Sequence, residues 1–252
     1  MSISKVTTKL ETLKINYLTQ SMYDEAFSSS QLMSNELYMT PYSTNSIETI
    51  YNIDDIATHH IYGIISHNTS IISNNQFYSW QIKIAYFPSC ISLGSDAFEN
   101  CNRLEAINFP NCISIGSNAF LNCINLATIN FPNCISIGSS AFYGCYSLQF
   151  VNIPKCSIIR PYAFYGCRQL QTISLPMINT LSGSAFLYCS KLFSVYLLGS
   201  SVPTLNSNVF GQSPITKSVD DIYGSIYVPA SLYSNYIIAS NWSLISSRIV
   251  SV

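Results

Sequence analysis

Cysteine is the residue whose chemistry and spacing first demand explanation in this chain. Cys90, Cys101, Cys112, Cys123, Cys134, Cys145, Cys156 and Cys167 follow one another at intervals of 11 residues, and Cys189 comes 22 residues later. Thiols at this density can hold zinc, form bridges or act as nucleophiles. Zinc needs four ligands converging from pairs of the C-x2-C kind, which intervals of 11 and 22 with no histidine among the repeats do not supply. The odd total of 9 argues against complete pairing. If successive 22-residue segments stack at about 4.8 Å, equivalent cysteines fall within the roughly 4.4–6.8 Å Cα range of a disulfide, so distance alone leaves bridges open. Two columns of buried thiols that fill narrow slots as small hydrophobes fit the periodicity better.

Other reactive groupings are sparse. His59, His60 and His67 lie near Asp54 and Asp55, but adjacent histidines on a strand point to opposite sides, and no H-E-x-x-H spacing places ligands on one face. After Glu105 there is no Asp or Glu until Asp220, which removes the carboxylate pair that glycoside hydrolysis requires. Phosphate-binding loops, a G-x-S-x-G elbow and dinucleotide-binding glycines are absent. The expectation is a chain with no catalytic residue, no metal and no cofactor. A net charge of -1 gives nucleic acid no electrostatic reason to bind. Charged residues are only 9% of the 252 and hydrophobic ones 48%, yet Ser and Asn interrupt every apolar run before the roughly 18–20 residues of a membrane span. The opening MSISKVTTKLETLK has no apolar core of a secretory signal, so none is expected.

The cysteine interval defines a 22-residue period that other slots obey over 90–111, 112–133, 134–155, 156–177 and 178–199. An Ala-Phe pair recurs at 97/98, 119/120, 141/142, 163/164 and 185/186, and one slot reads Leu104, Leu126, Leu148, Leu170 and Leu192. Each repeat carries an L-x-x-I-x-F-P segment whose alternation predicts a short strand, closed by Pro110, Pro132, Pro154 or Pro176 where an absent N–H does no harm. Half a repeat away, I-S-I-G-S predicts a second strand, with Ile113 and Ile115 on one side and Ser114 on the other. One such coil cannot bury its apolar face, whereas stacked coils form a continuous core with parallel sheet along it.

The frame I-G-x-x-A-F-x-x-C-x-x-L-x-x-I-x-[FI]-P resembles the BspA-type class of leucine-rich repeats, found in surface proteins of bacteria and some protists. The resemblance implies a mainly β fold: a leucine-rich-repeat solenoid with 22-residue coils, plus a small N-terminal α+β module and a C-terminal cap with a short helix. Residues 90–199 carry it most strongly. The segment SIYVPASLYSNYIIASNW is similar to the closing segment common after such repeats, making 200–252 the cap. The Gly94, Gly116, Gly138 slot becomes Arg160 and then Ser182, and a cysteine slot becomes Ile178, which puts a glycine-only turn in doubt. Residues 43–89 read as linker and irregular first coil, with Phe77 and Trp80 one place out of register. Residues 1–42 form the N-terminal attachment module: a strand in KLETLKINYLT, a helix from Ser21 to Leu32 and a strand in NELYMTP. Their order resembles short N-terminal segments of phage tail and tail-fibre proteins.

What remains for function is surface. Lys155, Arg160, Arg168, Lys191 and Lys217 fall in the acid-free stretch, and Tyr143, Tyr146, Tyr162, Tyr165 and Tyr188 crowd the A-F-x-x-C turns of the third to fifth repeats. Tyr143 and Tyr165 share a slot in neighbouring coils and should stack. Tyrosine and arginine supply contact area with a polar handle, so the candidate partner-binding residues are Tyr143, Tyr146, Tyr162, Tyr165, Arg168 and Tyr188. The competing surface is the strand wall, where only Phe150 and Tyr196 are large. The expected function is a non-enzymatic binding protein that meets a protein or glycan on a cell surface, in adhesion or host-surface recognition, without membrane insertion. An extracellular surface or a virion is the expected location. The rival is a structural component of a virion tail or surface assembly, joined through residues 1–42 and binding only neighbouring subunits.

Overall fold

The computed structural model describes residues 69–252 and, as backbone, the strands Lys14–Tyr17, Glu36–Met39 and Gly63–Ser66. The predicted helix at 21–32 and the three histidines with Asp54 and Asp55 lie outside the described residues. The chain divides into two compact units, 1–49 and 50–252. In the first, Lys14–Tyr17 and Glu36–Met39 pair in parallel, with Ile15 opposite Leu37.

The second unit is a mainly β solenoid. Its shorter wall is an unbroken parallel sheet of seven two-residue strands: Ile71–Ile72, Ser92–Leu93, Ser114–Ile115, Ser136–Ile137, Ile158–Ile159, Thr180–Leu181 and Thr204–Leu205. The longer wall has two parts. Five strands run from Gly63–Ser66 through Ile82–Tyr86, Ala106–Asn108 and Thr128–Asn130 to Phe150–Asn152; four more are Thr172–Ser174, Ser194–Tyr196, Ser225–Val228 and Ile249–Ser251. The register is that of the repeat, with Thr128 beside Phe150 and Ile129 beside Val151.

The recurring apolar slots form the core. Phe77, Phe98, Phe120, Phe142, Phe164, Phe186 and Phe210 make a buried spine, with ring centroids 5.2 Å apart at each step from Phe98 to Phe186. From Phe98 to Phe186 the buried Ala beside each Phe lets the coils close tightly: Phe142 N donates to Ala163 O at 2.7 Å, and Phe120 N to Ala141 O at 2.8 Å. A second stack of Phe87, Phe109 and Phe131 gives way to Ile153, Leu175 and Leu197. Phe77 belongs to the spine despite its offset in sequence, lying 4.8 Å from Phe98; the segment after it, leading to the strand Ile82–Tyr86, is one residue shorter than its counterpart in the next coil. The spine also continues past the fifth repeat through Phe210, 5.7 Å from Phe186. The chain then closes with a helix at Tyr233–Ile238 and buried Trp242, whose Nε1 donates to Pro203 O at 2.7 Å.

All nine cysteines are buried and unbridged. In the column Cys101, Cys123, Cys145, Cys167 and Cys189, each thiol donates to a Phe carbonyl of the preceding coil, at 3.0–3.4 Å. In the column Cys90, Cys112, Cys134 and Cys156, each reaches the carbonyl two residues ahead in its own coil. A thiol at these slots therefore fills space and satisfies a carbonyl. Desolvation by burial pushes Cys101, Cys134 and Cys156 up to about 12, whereas a hydrogen bond with Cys112 lowers Cys90.

One expectation about direction fails. Ile113 does not point inward with Ile115: Ile115 is buried, while Ile113 is 43% exposed. The alternation breaks because the short wall's strand begins only at Ser114, and the chain turns through Ile113 between buried Cys112 and that strand.

The slot of Gly94, Gly116 and Gly138 also has a different cause from a turn. None of the three has a positive φ. A Cβ on Gly138 would lie 2.5 Å from the backbone of Gly116, and one on Gly116 equally close to Gly94. Glycine is used here for close approach of one coil to the next. Arg160 is the first residue in this run to carry a side chain in that slot, and the longer wall loses its ladder in the same step, between Phe150–Asn152 and Thr172–Ser174.

Candidate functional site

The corner between the two walls is built by the A-F-x-x-C turn, and its backbone explains which residues can stand there. Each coil has two left-handed positions. The first is Asp96, Asn118, Ser140, Tyr162 and Ser184, with φ of 54–59°; the second is Asn100, Asn122, Gly144, Gly166 and Tyr188, with φ of 58–73°. Asn, Asp and Gly tolerate this conformation, whereas a bulky side chain with a Cβ is strained in it. In the early coils the corner is laced by amides: Asn118 Nδ2 donates to Asp96 Oδ1 at 2.9 Å and Asn122 Nδ2 to Asn100 Oδ1 at 3.1 Å. In the later coils aromatic rings replace this lacing.

The six candidate residues are brought together. Tyr143 and Tyr165 stack with centroids 4.4 Å apart and planes within 1°. Tyr165 is the hub: Tyr162 meets it at 6.2 Å and 59°, Tyr188 at 5.4 Å and 69°. Arg168 lies with its guanidinium carbon 4.6 Å from the centroid of Tyr146, a cation–π contact of the kind that holds an exposed arginine in place. Tyr146 in turn lies over the Gly166 position, where an added Cβ would sit 3.5 Å from its ring. Partial desolvation, and then the neighbouring phenols of Tyr143, Tyr188 and Tyr146, push the Tyr165 hydroxyl's pKa upward. The corner thus holds phenol rings and a guanidinium. Lys191, one coil on, donates to Gln169 Oε1 at 2.7 Å and so is held by a neutral amide.

Sequence reasoning found these residues but not their strain. Tyr162 and Tyr188 are 45% and 46% exposed, so they gain little packing in return for left-handed backbone. The signal was present in the slots themselves, since the other repeats fill them with Asp, Asn, Ser or Gly.

Two other surfaces compete. On the longer wall Phe150 is exposed, Tyr196 stacks on Tyr227 at 4.6 Å, and Asn152 Nδ2 donates to Asn130 Oδ1 at 2.7 Å. The second surface follows from the outward turn of Ile113. Ile91, Ile113 and Ile135 form an exposed column along a groove of 610 Å³, edged by Asn111, Asn133 and Lys155. The next coil places Ser157 in that column, so the groove is confined to the early coils. Among the described residues no group of three or more His, Cys, Asp or Glu is placed to hold a metal, and no helix is long and apolar enough to cross a membrane.

A family model of the BspA type leucine rich repeat region matches the chain in six copies, over residues 5–102, 59–135 and 113–235. Solved structures with similarity include the leucine-rich repeat protein TpLRR of T. pallidum, at 21% identity and TM-score 0.49, covering 59% of this chain and 77% of that one. A leucine-rich repeat protein from Bacteroides ovatus is 17% identical with TM-score 0.38, covering 67% of this chain and 66% of its own. A leucine-rich cell surface protein from Faecalibacterium prausnitzii is 18% identical with TM-score 0.41, covering 67% of this chain and 50% of its own. No curated protein matches.

Proposed function

This chain belongs to the BspA-type leucine-rich repeat family, and from that premise we propose that it is a non-enzymatic surface binding protein whose recognition site is the corner formed by Tyr143, Tyr146, Tyr162, Tyr165, Arg168 and Tyr188. The observation that carries the proposal is the convergence of Tyr143, Tyr162 and Tyr188 on Tyr165 at an exposed corner, with Arg168 fixed over Tyr146 beside them. Aromatic residues that give up packing for exposure are the kind that anchor interfaces, and a guanidinium fixed over a ring is presented with little entropy left to lose. The role is adhesion to a protein or glycan on a cell surface. Adhesion needs a rigid scaffold, and the phenylalanine spine supplies one across every coil that contributes to the site.

Paired substitutions test the assignment. Tyr143→Ala with Tyr165→Ala removes the stacked centre of the corner, and Phe150→Ala with Tyr196→Ser removes the large residues of the longer wall. Binding of the purified chain to intact cells should fall with the first pair and hold with the second, at melting temperatures close to the parent's. Loss with the second pair alone transfers the site to the wall.

A structural role, in which residues 1–42 join the chain to an assembly and the solenoid touches only its neighbours, is favoured by one feature: residues 1–49 form a compact unit of their own. Deleting residues 1–42 separates the readings. Cell binding that survives the deletion supports recognition by the corner. An intact chain that binds no cell and associates only with other subunits supports the structural role.

A further inference from the structure

The corner's chemistry points to the class of molecule it takes, an inference that rests on the corner being the binding site. We infer that its ligand is an anionic oligosaccharide, bearing sulfate or carboxylate groups, which lays sugar rings against the tyrosines and pairs its charge with Arg168 and Lys191.

Charge is the first ground. No Asp or Glu occurs between Glu105 and Asp220, while Lys155, Arg160, Arg168, Lys191 and Lys217 fall within that stretch. Lys155 and Lys191 are held by the neutral amides of Asn133 and Gln169, both at 2.7 Å. Among the described residues, the ion pair Lys83–Glu105 lies in earlier coils. Lys217 is followed closely by exposed Asp220 and Asp221, so the positive field rests on Lys155, Arg160, Arg168 and Lys191, whose coils hold no acid; it selects an anionic partner and repels a cationic one.

Footprint is the second. The rings that present area to solvent are chiefly Tyr146, Tyr162 and Tyr188, each less than half exposed. With about 150–250 Å² per tyrosine, the aromatic surface amounts to a few hundred Å². A stable protein interface takes about 800 Å² from each partner. A patch of this size matches a few sugar rings better than a protein face.

Ring geometry is the third. Tyr162 and Tyr188 stand at 59° and 69° to the hub ring of Tyr165, so they do not lose their faces to parallel stacking as Tyr143 does. The phenol hydroxyls and the guanidinium add hydrogen-bond donors suited to hydroxyl, carboxylate and sulfate oxygens. The two tilted rings are also those on left-handed backbone, the positions where other coils hold small polar residues. Strain kept at exposed rings is accounted for by what the rings contact in the bound state.

Titration calorimetry of the full chain against four probes tests the inference. The probes are a sulfated hexasaccharide of alternating hexosamine and uronate, its desulfated counterpart, a neutral β-glucose hexasaccharide and a polyglutamate peptide. One or both anionic sugars should bind at least tenfold more tightly than the neutral one, and preference between them identifies sulfate or carboxylate as the recognised group. Affinity should fall as salt rises. Arg168→Gln with Lys191→Gln should weaken binding at least tenfold, as should Tyr162→Asn with Tyr188→Asn, the latter without a fall in melting temperature. Binding to polyglutamate alone would overturn the ligand class while leaving the corner as the site. Failure of all four probes in a chain that still binds cells through Tyr143 and Tyr165 would overturn it likewise. Cell binding indifferent to Tyr143→Ala with Tyr165→Ala would remove the corner itself.

Discussion

In the coils of residues 90–155, the left-handed corner positions hold Asp96, Asn100, Asn118, Asn122, Ser140 and Gly144, and the step between coils is made by glycine. In those of 156–199 the corner holds Tyr162, Gly166, Ser184 and Tyr188, and the glycine step is replaced by Arg160 and Ser182. Both regions keep the same interior: Phe, Ala, Leu and Cys are buried in every coil. The early coils satisfy each local rule of conformation and stacking; the later ones break several, and they break them where tyrosine and arginine gather. Local rules fail at sites that have another task, because selection there acts on what the surface touches. The shared interior explains why the later coils tolerate the departure.

The largest effect is expected at the core that both regions share. Phe142→Ala should cost about 3–5 kcal/mol, because the ring is buried and stacked at 5.2 Å on both Phe120 and Phe164. Phe186→Ala in the later region should cost about as much. Thermal or urea melts check both, and a cost confined to one region would show that the interior is not shared.

Glycine substitutions bear on the step between coils. Gly138→Ala should destabilise by about 1–3 kcal/mol, as overpacking against backbone does, since its Cβ would meet the Gly116 backbone at 2.5 Å. Arg160→Gly should bring the coils closer and slow amide hydrogen exchange in residues 150–152 and 172–174. Unchanged exchange there would separate the broken ladder from the loss of glycine.

Alkali tests a property the two regions share. Burial raises the pKa of thiols in both, with Cys101, Cys134 and Cys156 at about 12 against an ordinary 9.0. The unfolded chain releases these protons first, so stability is fully present below pH 9 and is lost as pH rises toward 12. At pH 10 each such thiol removes about 1.4 kcal/mol. The chain should therefore unfold cooperatively in mild alkali, as followed by circular dichroism. Replacing Cys145 with Ala should move that midpoint to higher pH relative to the variant's own stability at pH 7.

The smallest effect is the most telling for the site. Tyr162→Asn and Tyr188→Asn should each raise stability by about 1 kcal/mol by relieving left-handed strain, whereas Tyr143→Asn, on ordinary backbone, should not. Denaturant midpoints at unchanged slope decide this. A loss of stability in both would mean that the rings are held by packing and not kept for contact.

Much of this was legible in the residues. The Ala-Phe pair, the Leu slot and the alternating L-x-x-I-x-F-P segment specify coil length, strand placement and the buried spine, and the shared slot of Tyr143 and Tyr165 correctly implied a stack. The direction of Ile113 was not, because an apolar residue one place outside a two-residue strand carries no period to reveal which way it faces. Phe77 was hidden by a one-residue shortening of the segment that follows it, which a fixed 22-residue frame cannot absorb but the packed rings can.

The sequence by itself determined the solenoid, its 22-residue rise and its two columns of thiols, since a repeated pattern of apolar slots has one economical way to bury itself, by stacking on its own copies. Only the tertiary structure decided that the glycine step serves close approach and not a turn, that the longer wall parts where Arg160 enters, and that Tyr162 and Tyr188 stand on left-handed backbone around Tyr165. These depend on distances between coils and on the sign of φ at single residues. Neither quantity is written in residue type or spacing; both emerge when neighbouring coils are packed against one another.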